Sequence, residues 1–332
     1  MKRDKTLSLC VIMIVLYFLF GGIEGGSAFA APMDFPKNEI TIIVPYGPGG
    51  GSDIVARGVA KTMTKYLGVP IVVVNTVGAG GARGIISLYS SSPDGYTIGI
   101  AAPGHAVDQL FEKRDYDIKK FSFIGRAQHS PNFFLVKSDS PFRSVKDFKA
   151  FGKVVRHGAF SLTATPTVAG MVVAKREGFP LAMVGGYKGA ADTILGLMRG
   201  EVEFVGPCLS NFVPYLQEGK TAPVRPIVTI DQKRSPDFPD VPTIGEIGYP
   251  DLETCSMDFW FMAPPGVPKD RLKMLDDALI KTVRDREFVE WAKKAGVDPG
   301  PLNGEETFKF VSSLLKLIEQ YKGDIEKYLP KK

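Results

Sequence analysis

The sequence predicts an α/β protein of two lobes over its 332 residues, each lobe a mostly parallel sheet flanked by helices. Three observations predict it. β-Branched runs of strand length alternate with helix-spaced apolar stripes, the pattern of repeated βαβ units, which demands parallel strands with helices on the sheet faces. The alternation comes in two series, one before about residue 130 and one after it. The first strand runs into a glycine-rich turn, which places ligands at the carboxyl edge of the sheet.

The first series opens with Ile40–Val44, a short β-branched run. Ile54, Val55, Val59, Met63 and Tyr66 then fall close to a helical period. Ile71–Val74 is again β-branched, Ile85–Tyr89 reads as helix, and Pro93-Asp94-Gly95 turns the chain into a strand over Tyr96–Ile100. The second series starts at Phe133–Val136, an apolar strand bounded by Pro131 and Ser138-Asp139-Ser140-Pro141. Ser144–Phe148 caps and starts a helix, Val154-Val155 begins a strand, Pro166–Lys175 reads as helix and Leu181–Val184 as strand. From Asp270 onward, Leu272, Leu275, Leu279 and Val283, then Phe308, Val311, Leu314, Leu315 and Ile318, form stripes that need an existing domain to pack on. No repeat period or heptad run competes with this reading.

Composition fits packed domains: 44 % hydrophobic and 23 % charged residues, with 36 Gly and 25 Pro, exclude collagen-like and disordered classes. Lys and Arg (41) exceed Asp and Glu (36) only slightly and without a patch, which argues against a nucleic-acid partner. Lys2, Arg3 and Lys5 precede the apolar run Leu7–Phe20, and Ala28-Phe29-Ala30 closes a small-residue stretch. Too short to cross roughly 30 Å of hydrocarbon, this run reads as a secretory signal over residues 1–30, cleaved near Ala30/Ala31. Cys208 and Cys255 remain after cleavage. An oxidising compartment permits one disulfide between them; two separate thiols are the simpler alternative.

The segment Pro45-Tyr46-Gly47-Pro48-Gly49-Gly50-Gly51-Ser52-Asp53 lies between a strand and a helix. There the unpaired amides and the helix dipole make an anion site, and glycines let a ligand approach the main chain. A ligand-free turn capped by Ser52 or Asp53 uses the same residues. Nucleotide readings are weak: no Gly-Lys-Ser or Gly-Lys-Thr follows a glycine loop, Ser52 stands where a third dinucleotide glycine belongs, and the loosened version Gly78, Gly80 and Gly84 sits in a secreted chain with little access to NAD. No G-x-S-x-G, H-E-x-x-H or C-x-x-C occurs, and His105, His129 and His157 lack metal-ligand spacing, so neither cofactor nor metal is expected. His105, just past the Tyr96 strand, either hydrogen-bonds a ligand or faces solvent.

Ile42-Ile43-Val44-Pro45-Tyr46-Gly47-Pro48-Gly49-Gly50-Gly51-Ser52-Asp53-Ile54-Val55-Ala56-Arg57 resembles the opening of the solute receptors of tripartite tricarboxylate transporters, the Bug family. Later motifs follow in the family's order: Val72-Val73-Val74-Asn75 with Gly78-Ala79-Gly80-Gly81, Pro93-Asp94-Gly95-Tyr96-Thr97, Tyr187-Lys188-Gly189 and Gly200-Glu201-Val202-Glu203. Arg234-Ser235-Pro236 with Pro239-Asp240-Val241-Pro242-Thr243, and Ala263-Pro264-Pro265-Gly266-Val267-Pro268, complete the series. The resemblance implies a type II-like periplasmic binding protein with its ligand cleft between the lobes. Lobe 1 would comprise 31–130 and 246–332, and lobe 2 would comprise 131–245. Such a protein, a monomer, closes on a small mono- or dicarboxylate and delivers it to membrane permease subunits. A ligand sensor that signals to a membrane kinase, or a secreted enzyme using a residue such as Cys208 near His157, are the alternatives.

By the same resemblance the ligand is held by Tyr46, Pro48, Gly49, Gly50, Gly51, Ser52 and Asp53 from the first loop. Ser161, Thr163, Ala164 and Thr165 face them from the second lobe, with Gly80, Gly81, Gly104, His105, Tyr187 and Lys188 alongside. Gly50→Val is expected to abolish binding, and Lys188→Ala to weaken it modestly. Two departures stand out. The second-lobe loop, glycine-rich in the family, reads Gly158-Ala159-Phe160-Ser161-Leu162-Thr163-Ala164-Thr165, and Gly206-Pro207-Cys208 replaces a common Asp. The second removes a contact to a ligand amine or hydroxyl and points to a bare or aromatic carboxylate.

Overall fold

A computed structural model describes residues 35–216 and 222–328. The expected signal over residues 1–30 and its cleavage site lie outside the described residues. The first sheet contains β1 (Ile40–Val44), β2 (Ile71–Asn75), β3 (Thr97–Ala101), β4 (Ser122–Ser130), β10 (Met257–Ala263) and β11 (Pro299–Asn303), in the order β11-β4-β10-β3-β1-β2. The second contains β5 (Asn132–Lys137), β6 (Val155–Gly158), β7 (Leu181–Val184), β8 (Phe204–Val205) and β9 (Val224–Ile230), in the order β7-β6-β8-β5-β9.

Each sheet is mixed. The βαβ units supply the parallel pairs β1–β2, β1–β3, β6–β7 and β6–β8. Strands that carry the chain between sheets run against them: β10 pairs antiparallel with β3 and β4, and β5 antiparallel with β8 and β9. The mostly parallel pattern read from the sequence therefore describes the βαβ half of each sheet. The chain crosses between sheets twice, once at Pro131 between β4 and β5 and once between β9 and β10. Ile244, Tyr249, Leu252 and Cys255, on the second crossing, pack with Phe134, Phe204 and Val228. The boundary expected at 245 thus falls within this packing, and the chain rejoins the first sheet at Met257.

The crossings are tied together. Asn132 Nδ2 donates to the Cys255 carbonyl at 2.7 Å. His129, near the end of β4, places Nε2 at 3.0 Å from Asp231 and Nδ1 at 2.8 Å from Asp258, while Arg126 Nη1 donates to Asp258 at 2.8 Å. Burial alone would lower the imidazole's pKa, but the hydrogen bonds and charges of the two carboxylates outweigh it and raise it to about 9.

Helices α1 (Gly51–Leu67), α2 (Ala82–Tyr89) and α3 (Pro103–Phe111) follow β1, β2 and β3. In the second lobe, α4 (Val145–Ala150) precedes β6, and α5 (Thr165–Glu177), α6 (Ala190–Met198) and α7 (Leu209–Phe212) follow β6, β7 and β8. Among the described residues, the chain after the second crossing adds the α-helices α8 (Lys269–Arg284), α9 (Arg286–Ala295) and α10 (Gly304–Ile325). α10 serves both cores. Val311 and Leu315 pack with Phe123 and Trp260 of the first sheet, whereas Leu317, Ile318, Tyr321 and Ile325 pack with Val168 and Val172 of α5. Lys175 pairs with Asp324, and Arg176 Nε donates to the Tyr321 hydroxyl at 2.8 Å, which fastens α10 to α5. Among the described residues no helix is long and apolar enough to cross a membrane.

Candidate ligand-binding site

The loops after β1, β2, β3, β6, β7 and β8 all lie at the carboxyl ends of parallel or βα-connected strands, where open α/β sheets receive ligands. They converge on a hollow of about 390 Å³, within the range of small-molecule sites. Tyr46, Gly80 and Gly104 line it from the first lobe, and Ser161, Thr163, Ala164 and Thr165 from the second. A second hollow of about 610 Å³ shares Tyr46, Cys208 and Asn211 with the first and adds Gly50, Gly51 and Ser52.

The first loop is held by Asp53 and Asn75. Gly49 adopts φ +81°, a left-handed conformation that favours glycine, and its N–H donates to Asp53 Oδ2 at 2.9 Å. Arg57 Nε donates to the same oxygen at 3.0 Å, and Asn75 Nδ2 donates to Asp53 Oδ1 and to the Tyr46 carbonyl, each at 2.9 Å. Burial alone would raise the Asp53 pKa, but hydrogen bonds from Arg57, Gly49 and Asn75 bring it down to about 2. Asp53 is 3 % exposed and lines neither hollow; its role is to shape the loop. Gly51, Ser52 and Asp53 open α1, so their amides have no partner four residues back and point out of the helix start.

Gly50 lines the second hollow but is under no conformational demand. Its φ of −74° is open to any residue, and an added Cβ would meet only the Gly47 carbonyl at 3.4 Å. The conformational demand falls on Gly49.

The second loop uses hydroxyls. Ser161 Oγ lies 3.1 Å from Thr163 Oγ1, Thr163 Oγ1 donates across the cleft to Asp108 Oδ1 at 2.9 Å, and Thr165 Oγ1 donates to the Ser256 carbonyl at 3.1 Å. Phe160 stands 44 % exposed at the rim. The first residues of α3 (Pro103, Gly104), α5 (Thr165, Pro166) and α6 (Ala190) line the first hollow, and those of α1 (Gly51, Ser52) the second. Four helix N-termini therefore face this space, and each carries partial positive charge. Among the described residues, no Lys or Arg lines either hollow.

Several expected residues lie elsewhere. Pro48, Gly49, Gly81, Tyr187 and Lys188 line neither hollow. The Tyr187 hydroxyl donates to Glu201 at 2.9 Å, and the Lys188 amide to Asp192 at 3.1 Å. His105 neither lines the hollows nor faces solvent. It is 2 % exposed, its ring sits 5.3 Å from that of Tyr46, and Nδ1 accepts the Ala102 amide at 3.1 Å. Burial lowers its pKa to about 4. Gly81, at φ +99°, leaves the room this ring needs, since a Cβ there would lie 2.5 Å from His105 Nε2. Cys208 and Cys255 are free thiols. Sequence reasoning missed Asp108, Asn132, Asn211 and Met257, all of which line the first hollow. Among the described residues, no group of three His, Cys, Asp or Glu side chains is placed to hold a metal ion.

Two lobes joined by two crossings, with an amide-rich loop from one and a hydroxyl-rich loop from the other at adjoining hollows, have the architecture of a solute-binding protein. Residues 55–321 match the tripartite tricarboxylate transporter family receptor, and the chain belongs to that family. Protein BugT of Bordetella pertussis is 29 % identical over 317 residues, covering 90 % of this chain and 94 % of that protein. A TctC solute binding protein from Polaromonas, solved without ligand, superposes with a TM-score of 0.77 at 25 % identity, covering 88 % of this chain and 99 % of that one. An R. palustris protein solved with adipate gives 0.70 at 25 % identity, with the same coverage.

Proposed function

We propose that the protein is an extracytoplasmic receptor that binds a small organic carboxylate between its lobes, closes on it and delivers it to a tripartite tricarboxylate-type permease. The observation that carries this reading is the convergence of four helix N-termini on a cleft lined by no basic side chain, which suits an anion held by amides and hydroxyls. Family membership and the adipate held by the R. palustris relative support it. So does the state of the nucleophile an enzyme would need. Cys208 Sγ is engaged by Ser210 and Asn211 and burial raises its pKa, while His157 has both ring nitrogens buried without a partner. Cys208 and His157 therefore form no pair with each other.

Thermal unfolding against a panel of mono-, di- and tricarboxylates tests the proposal. A ligand at a hundred times its dissociation constant adds about 2.7 kcal/mol, which is readily detected. Stabilisation by amines, sugars or nucleotides alone refutes the reading. Small-angle scattering checks closure: saturating ligand should reduce the radius of gyration, and an unchanged radius with binding confirmed means a preformed site.

A further inference from the structure

We propose that Asp108 sets which carboxylate this cleft accepts, selecting an acid that carries a hydrogen-bond donor, hydroxyl or ammonium, away from its carboxylate and rejecting a diacid. The inference rests on the carboxylate reading above. Among the described residues that line the first hollow, Asp108 is the one charged side chain. It projects from α3 in a wall otherwise built of hydroxyls, amides, backbone and apolar groups.

Its partners leave it capacity. Oδ1 accepts from Thr163 Oγ1 at 2.9 Å, and Arg114 Nη2 stands 3.8 Å from Oδ2, an ion pair too long to be a hydrogen bond. A carboxylate accepts about four hydrogen bonds, so acceptor positions remain, and the side chain, which lines the hollow, is 28 % exposed. Arg114 does not line the hollow.

The groups facing Asp108 sharpen the argument. Tyr46 lines the same space, and burial, followed by the negative charge of Asp108, pushes its phenol up to about 12. Tyr46 thus stays a donor and can serve an anionic oxygen of the ligand. Asp108 has the opposite need. It accepts and cannot donate, so the ligand group beside it must bring a proton on oxygen or nitrogen. A second carboxylate there would meet like charge in a partly desolvated site. The missing Asp at Gly206-Pro207-Cys208 suggested that no ligand donor would be recognised. The structure returns a carboxylate to the cleft from a different element, and the expectation of a bare or aromatic acid reverses.

The test is calorimetry on the purified chain with length-matched acids: succinate against γ-hydroxybutanoate and γ-aminobutanoate, and adipate against ε-hydroxyhexanoate and ε-aminohexanoate. The donor-bearing acid should bind at least about tenfold tighter than its diacid at the length that fits, and the hydroxy–amino comparison tells which donor is read. Asp108→Asn keeps an oxygen for Thr163 and removes the charge. It should raise diacid affinity about tenfold and lower that of the amino acid by a similar factor, with an unchanged circular dichroism spectrum. Diacids bound by the wild-type chain as tightly as their partners, or a variant that shifts both classes alike, overturn the role of Asp108 while leaving the receptor intact. Failure of every acid to bind overturns the receptor reading and this inference with it.

Discussion

Tyr46–Asp53 from the first lobe and Phe160–Thr165 from the second meet at one cleft with different chemistry. The first spends no side chain on the ligand space beyond Tyr46 and Ser52. One buried carboxylate, Asp53, gathers Gly49, Arg57 and Asn75 and so fixes the direction of the amides that open α1. The second is built from hydroxyls that hydrogen-bond each other and the opposite lobe. A rigid amide cradle needs glycines and a concealed anchor; an adaptable hydroxyl surface needs neither. Affinity for the carboxylate should therefore reside mainly in the first loop and adaptation to the rest of the ligand in the second.

The largest effect should come from the anchor. Asp53→Ala removes the acceptor shared by the Gly49 amide, Arg57 Nε and Asn75 Nδ2, so the loop loses its anchor, and it should abolish measurable carboxylate binding. Calorimetry showing near-normal affinity in this variant would break the comparison outright. Next is Gly49→Val, which forces a β-branched residue to φ +81° at roughly 1–3 kcal/mol. Urea unfolding should find it less stable than Gly50→Val, and the reverse order would show that the loop is set elsewhere.

Smaller effects are expected across the cleft. Ser161→Ala with Thr163→Val should weaken binding by no more than about tenfold, near 1.4 kcal/mol, and change the ranking of ligands more than the affinity for the best one. A loss as complete as that of Asp53→Ala would place the carboxylate on the wrong loop. The smallest effect on affinity, outside both loops, belongs to the crossings. His129 has its pKa raised to about 9 in the folded chain against about 6.5 unfolded, so its stabilising contribution is full below pH 6.5 and is lost as pH rises through 9. Melting temperature should fall across that window in the wild type and fall less in His129→Gln.

The first loop was legible because glycine, proline and a strand-to-helix change are local signals; β1 appears where its β-branched run lies. The mixed edges of the sheets were not. β10, Met257–Ala263, pairs with β3 and β4 from the other half of the chain, and no local period announces such a partner. Asp108 escaped for a related reason. Nothing in Ala102-Pro103-Gly104-His105 marks a helix that lifts a carboxylate into the cleft while burying the histidine beside it. At Gly81 the glycine signal has a packing reason that no local pattern reveals: the His105 ring occupies the space a Cβ would fill.

The C-terminal helix adds an element of timing. Val311 and Leu315 belong to the core of the first sheet, and Leu317, Ile318, Tyr321 and Ile325 to that of the second. A chain made or threaded from its N-terminus therefore holds neither core complete until its last turns of helix arrive. Although the second sheet is contiguous in sequence, it cannot finish ahead of the first, and both lobes are sealed by the same final segment.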